Sequence, residues 1–137
     1  MDVDGGCHCG HITFAAKIDP EAVSICHCTD CQTLTGTAYR VNVRVRKQDL
    51  VMRGGKPKIY VKTAESGTQR AHAFCPECGT PIYSTSMDSD PQVYGLRVGV
   101  MRQKRELPPK KQGWHRSALP WTMNIDGLPK IATQVQR

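Results

Sequence analysis

The chain has 137 residues, of which 39% are hydrophobic and 6% aromatic, with a formal charge of +7. That length suits one domain with a modest core, and a core so poor in aromatic residues calls for reinforcement by bound metal. No run of about eighteen apolar residues occurs, which excludes an apolar membrane-spanning helix, and the acidic, polar opening MDVDGGCHCG is unlike a secretion signal; a reducing, cytoplasmic setting is therefore expected.

In chain order, GGCHCG comes first and puts Cys7 and Cys9 two positions apart. On an extended strand both sulfurs project to one face while His8 points away. HITFAAKI then alternates, with Ile12, Phe14, Ala16 and Ile18 on one side. SICHCTDCQTLTG follows, and an approach strand carrying Ser24, Cys26 and Cys28 on one face is expected there. A short helical turn over TDCQTL, capped by Thr29 or Asp30, brings Cys31 round to the same point. AYRVNVRVR alternates cleanly, Tyr39, Val41, Val43 and Val45 opposing Arg40, Asn42, Arg44 and Arg46. KIYVKT and QVYGLRVGV read as further strands, and between them FCPECG holds Cys75 and Cys78 in a C-x-x-C turn. Asp19-Pro20, Gly54-Gly55, Ser66-Gly67 and Asp90-Pro91 mark turns. From about Glu106 the chain turns proline-rich, an irregular wrap anchored by Trp114 and Trp121 and ending in a frayed tail, 130–137. With no repeat and no linker, the expectation is a single all-β domain over 1–137, with its core at about 5–129, built of short antiparallel sheets with at most short helical turns.

Seven cysteines is an odd number, which would leave a disulfide framework with an orphan; tight clustering points instead to metal. Cys7 and Cys9 supply two thiolates and Cys75 and Cys78 two more, and together they complete a four-sulfur structural zinc site. Cys26, Cys28 and Cys31 converge with no fourth cysteine left. Three protein ligands and one open position is the usual build of a catalytic zinc. His27, Asp30, His72 or His115 are alternative fourth ligands, and Cys28 with Cys31 is an alternative redox pair. Seven thiolates subtract seven charges and two zinc ions add four, bringing +7 to about +4.

The ordered motifs GGCHCGHITF, CHCTDCQTLTGTAYRV, FCPECGTPIYS, GLRVGVM and a late LPW resemble the glutathione-dependent formaldehyde-activating family, over about Gly5 to Pro129. The resemblance implies a zinc-bearing β-tent fold. It assigns Cys7, Cys9, Cys75 and Cys78 to a structural zinc, and Cys26, Cys28 and Cys31 to a second, catalytic zinc. The activity implied is the joining of formaldehyde to the thiol of glutathione, or cleavage of that carbon–sulfur bond.

An anionic zinc tris-thiolate is a poor Lewis acid for water and suits a soft thiol ligand, so a small thiol such as glutathione and an aldehyde are the expected partners. Glutathione's carboxylates call for cations. Arg40, Arg44 and Arg46 form one candidate stripe, and the seven Lys and Arg from Arg97 to Arg116 form another; solvated surface charge is the ordinary role of both. The competing reading is a non-enzymatic, zinc-stabilised module whose basic surface binds an anionic partner. The basic segment lacks stacking aromatics and a groove-reading helix, which argues against nucleic acid.

Overall fold

A computed structural model describes residues 1–135; the last two positions of the frayed tail expected at 130–137 lie outside the described residues. The strands are β1 (Asp2–Gly6), β2 (Ile12–Lys17), β3 (Ser24–Cys26), β4 (Arg40–Arg46), β5 (Leu50–Gly54), β6 (Lys58–Thr63), β7 (Gln69–Phe74), β8 (Pro81–Ser86), β9 (Val93–Arg97) and β10 (Lys111–Gly113). One helix, α1 (Thr29–Thr35), and five short 3-10 turns complete the described residues. The fold class is all-β, as the alternation predicts.

Two sheets form. One runs β1-β2-β5, the other β10-β3-β4-β9-β8-β7-β6. Every strand pair is antiparallel except β10 with β3. The alternating pattern dictates which faces meet. In β2 the side chains of Ile12, Phe14 and Ala16 are buried, and in β4 those of Val43 and Val45. They pack with Ile82, Leu96, Val98, Met101 and Leu107 into one core. Removing this much apolar surface from water is the main force holding the sheets face to face. Leu96 is wholly buried, so Leu96→Ala is expected to cost about 3 kcal/mol through lost transfer energy and the cavity left behind. A urea midpoint unchanged from wild type would contradict that placement.

The other face of the large sheet is polar. Cys26 pairs with Arg40, Asn42 with Arg97, and Tyr60 with His72 in direct register. Direct partners share a face, so cationic side chains from β4, β6, β7 and β9 lie on the side that also carries Cys26. The long segment expected at 92–100 is a strand only to Arg97, and then turns as a 3-10 helix, Val98–Val100. The proline-rich wrap is held by buried Leu107 and by β10, while Trp114 and Trp121 are about half exposed. They do not anchor it: the short β10 ladder and one leucine do that instead. Among the described residues no helix is long and apolar enough to cross a membrane.

Candidate metal centres and the adjoining pockets

Cys7 and Cys9 sit in a turn rather than on a strand. β1 ends at Gly6; Cys7 N–H then donates to Ile12 O at 2.9 Å and Gly10 N–H to Cys7 O at 3.2 Å. Gly10, at φ 83°, occupies the left-handed region the turn requires. FCPECG makes the matching turn, Gly79 N–H donating to Cys75 O at 2.8 Å with Gly79 at φ 78°. A spacing of two is met equally by a strand and by this turn, which is why the sequence did not separate them. The two loops are tied together by His8 N–H donating to Thr80 Oγ1 at 3.1 Å.

The result is a cluster of four sulfurs, all within 4.8 Å of one another. Cys7 and Cys9 are 3.7 Å apart and Cys9 and Cys75 3.8 Å. A tetrahedral ion with metal–sulfur bonds of about 2.3 Å requires edges of about 3.8 Å, so this donor set fits zinc. The thiols also behave as a crowded set. Thr80, by side chain and backbone, holds Cys78 down to about 5, whereas Cys9, despite a backbone donor at His11, is pushed up to about 12 by desolvation and its sulfur neighbours. One sulfur carries charge at the expense of another, a conflict that a dication removes.

Cys26, Cys28 and Cys31 form the second cluster, again within 4.8 Å. Cys26 ends β3. Cys28 is not on that strand but caps α1, its Sγ accepting from Cys31 N–H at 3.2 Å. The cap expected at Thr29 or Asp30 is thus a sulfur one residue earlier. Cys31 occupies the first turn and is buried. Hydrogen bonds from Cys26 chiefly, then from Cys28 and Arg40, hold Cys31 down to about 5, while the Cys31 sulfur pushes the Cys26 thiol far up. Among the described residues no His, Asp or Glu joins these three sulfurs.

Of the alternative ligands, His27, Asp30 and His72 are committed to other partners, and His115 stands outside the cluster. His27 is buried; its Nε2 donates to Gln112 Oε1 at 2.7 Å, and its ring meets Tyr39 and His115 edge-on at 5.4 and 5.7 Å. Asp30 pairs with Lys62 at 3.1 Å. His72 accepts from Arg97 Nη2 at 3.2 Å. Gln32 ties α1 to the wrap, donating to both His27 O and Ser117 O at 2.9 and 3.0 Å.

Cys28 opens on a cavity of about 620 Å³ whose wall includes Asp30, Lys62, Glu65, Trp114 and Arg116. Trp114 holds a left-handed backbone, φ 52°, a conformation a bulky residue adopts only when its surroundings impose it. Arg116 lies over its ring at 4.9 Å. Of the predicted cation stripe, Arg46 pairs with Asp49 at 2.8 Å and Arg44 is exposed, but Arg40 is buried. Arg97 and Arg116, the two ends of the other predicted basic stretch, line cavities; Lys62 was not singled out by sequence, since alternation assigns it a face without saying that this face encloses a cavity.

The model of a family described as glutathione-dependent formaldehyde-activating enzyme matches residues 2–117. A Rhodobacter sphaeroides protein of known crystal structure is similar at 23% identity with a TM-score of 0.61, the match covering 80% of this chain and 98% of that one. At that identity the likeness speaks to the fold. No curated protein matches the sequence.

Proposed function

The chain belongs to the glutathione-dependent formaldehyde-activating family, and from that membership we propose that it joins the thiol of glutathione, or of another small thiol, to an aldehyde and splits the same carbon–sulfur bond in reverse. What supports this is the three-sulfur cluster with no fourth side-chain ligand among the described residues, one of whose sulfurs opens on a charged cavity large enough for a tripeptide. Cys7, Cys9, Cys75 and Cys78 would hold a structural zinc, and Cys26, Cys28 and Cys31 a second. The second ion, bound by three thiolates, would supply a soft site that stabilises an incoming thiol as its thiolate.

The chain's own residues prepare that site. Arg40, whose charge helps to hold the Cys31 thiol down, offsets the negative charge of the sulfur cluster. The Cys31 N–H fixes Cys28 at the cavity mouth. Lys62 and Arg116 face the cavity through partners that are themselves exposed, Asp30 and Glu65, so each can exchange its partner for a substrate carboxylate at small cost. Trp114 gives the thiol carrier an apolar wall. The addition is redox-neutral: the thiol passes its proton to water in the open cavity, the carbon–sulfur bond forms as the carbonyl π bond breaks, and the carbonyl oxygen takes a proton back from that water. The same balance run backwards releases aldehyde and thiol.

The test is exchange spectroscopy on glutathione and formaldehyde with the zinc-loaded protein. Acceleration of adduct exchange over the uncatalysed rate is expected. Lys62→Gln and Arg116→Gln should each raise KM for glutathione about tenfold with kcat little changed, the pattern of lost ground-state binding. No acceleration over buffer would leave a zinc-stabilised binding module.

A further inference from the structure

Beside the three-cysteine cluster the large sheet buries two arginines that face no carboxylate. Arg40 in β4 is 5% exposed and Arg97 in β9 is 6% exposed. Among the described residues neither makes an ion pair with Asp or Glu. Arg97 donates through Nη1 to Asn42 Oδ1 at 2.6 Å and through Nη2 to His72 Nδ1 at 3.2 Å. The Nε groups of both arginines have no partner among the described residues. Both side chains line a cavity of about 250 Å³, together with His72, Tyr60, Phe74 and Leu34.

Burying a guanidinium without a counter-charge costs several kcal/mol, and here two share one cavity. Three thiolates around a divalent cation leave a net charge of −1, one negative charge beside two buried guanidinium cations. One of the two cations is thus left without a counter-charge. His72 adds no charge of its own, since burial, and then the neighbouring Arg97 and Arg40, hold it down to about 4.

We propose that this cavity is a binding subsite for one carboxylate on a short apolar stem, the carboxylate seated against Arg40 and Arg97 and the stem against Phe74 and Leu34. A planar carboxylate matches the donor fork of a guanidinium and supplies the counter-charge that the two buried cations lack. The volume lies below the about 300–1,000 Å³ of cavities that enclose drug-sized ligands, so the subsite takes a small acid or the tip of a larger molecule. Tyr60 and Lys62 share one face of β6, which sets this cavity alongside the one at Cys28. The carboxylate therefore belongs either to the thiol or to its carbonyl partner. The subsite is read from the arginines and stands whether or not the thiol–aldehyde chemistry does.

The experiment is titration of the zinc-loaded protein with propanoate, and with neutral propanamide, by calorimetry and ligand-observed NMR. Propanoate should bind and propanamide bind at least about tenfold more weakly; Arg97→Gln should weaken propanoate by about tenfold or more. Arg44→Gln, on the same sheet face but outside this cavity, should leave it unchanged. If Arg97→Gln does not fold, Leu34→Trp, which narrows the cavity from the exposed helix side, should block propanoate instead. Glutathione displacing propanoate assigns the carboxylate to the thiol. Displacement by glyoxylate while glutathione binds alongside assigns it to the carbonyl partner. Absence of propanoate binding to the wild type, or equal weakening by Arg44→Gln and Arg97→Gln, overturns the subsite.

Discussion

Cys31→Ser is expected to leave a folded chain that holds one metal ion instead of two and exchanges thiol–aldehyde adducts at the rate of buffer. Cys31 is the buried sulfur of its cluster, the one that the other two sulfurs and Arg40 keep ionised. A serine hydroxyl offers neither the charge nor the softness. Four-ligand zinc sites bind with about 10–16 kcal/mol, so one ligand accounts for roughly 3 kcal/mol, or on the order of a hundredfold in affinity. A site that begins with three ligands has little to spare. The fold should survive, because the core around Ile12, Val43, Ile82 and Leu96 lies on the other face of the sheet and does not include Cys31. Elemental analysis, circular dichroism and the exchange assay read the three outcomes separately. Wild-type turnover by the serine variant would remove the cluster from the chemistry.

The second large effect lies in stability. Cys75→Ser, or prolonged chelation, is expected to unfold the chain rather than merely silence it. Cys75 is completely buried and belongs to the core as well as to the four-sulfur cluster. That cluster joins the turn after β1 to the turn before β8, segments far apart in sequence that otherwise share the single His8–Thr80 hydrogen bond described above. Metal binding of about 10–16 kcal/mol is folding energy in such a site, against a total stability of about 5–15 kcal/mol for a domain. Under a graded chelator, activity should fall before ellipticity does, since three ligands release an ion more readily than four. A thermal midpoint shifted by only a few degrees after full metal removal would show that the sheets stand without it.

Much of this was legible in the residues. Period-two alternation located β2, β4 and β6 almost to the residue, and KIYVKT coincides with β6. The spacing of the cysteines separated four sulfurs from three, and the structure gathers them in that grouping. Other features had no signature. Sulfur is not among the usual helix-capping groups, so Cys28 as the cap of α1 was invisible. β10 is three residues long and exposed, and nothing in KQG marks it as a strand. Alternation told Arg40 from Val41 but not which face would be covered. Arg40 and Arg97 are buried because their sheet face carries its own pocket wall, a property of strands brought together from across the chain. The two tryptophans attracted attention as anchors by size alone; Trp114 instead stands half-exposed at the mouth of the Cys28 cavity.

The parallel pairing of β10 with β3 carries a temporal consequence. As the polypeptide emerges from the ribosome, the sulfurs of the four-cysteine cluster are all present once Cys78 has appeared. Cys26 by then still lacks its outer neighbour, because Gly113 has yet to be made. Trp114, Arg116 and the Ser117 carbonyl that receives Gln32 come later still. The four sulfurs can therefore be gathered first, the core is completed next by Ile82, Leu96 and Leu107, and the reactive pocket receives its last walls only after that frame exists.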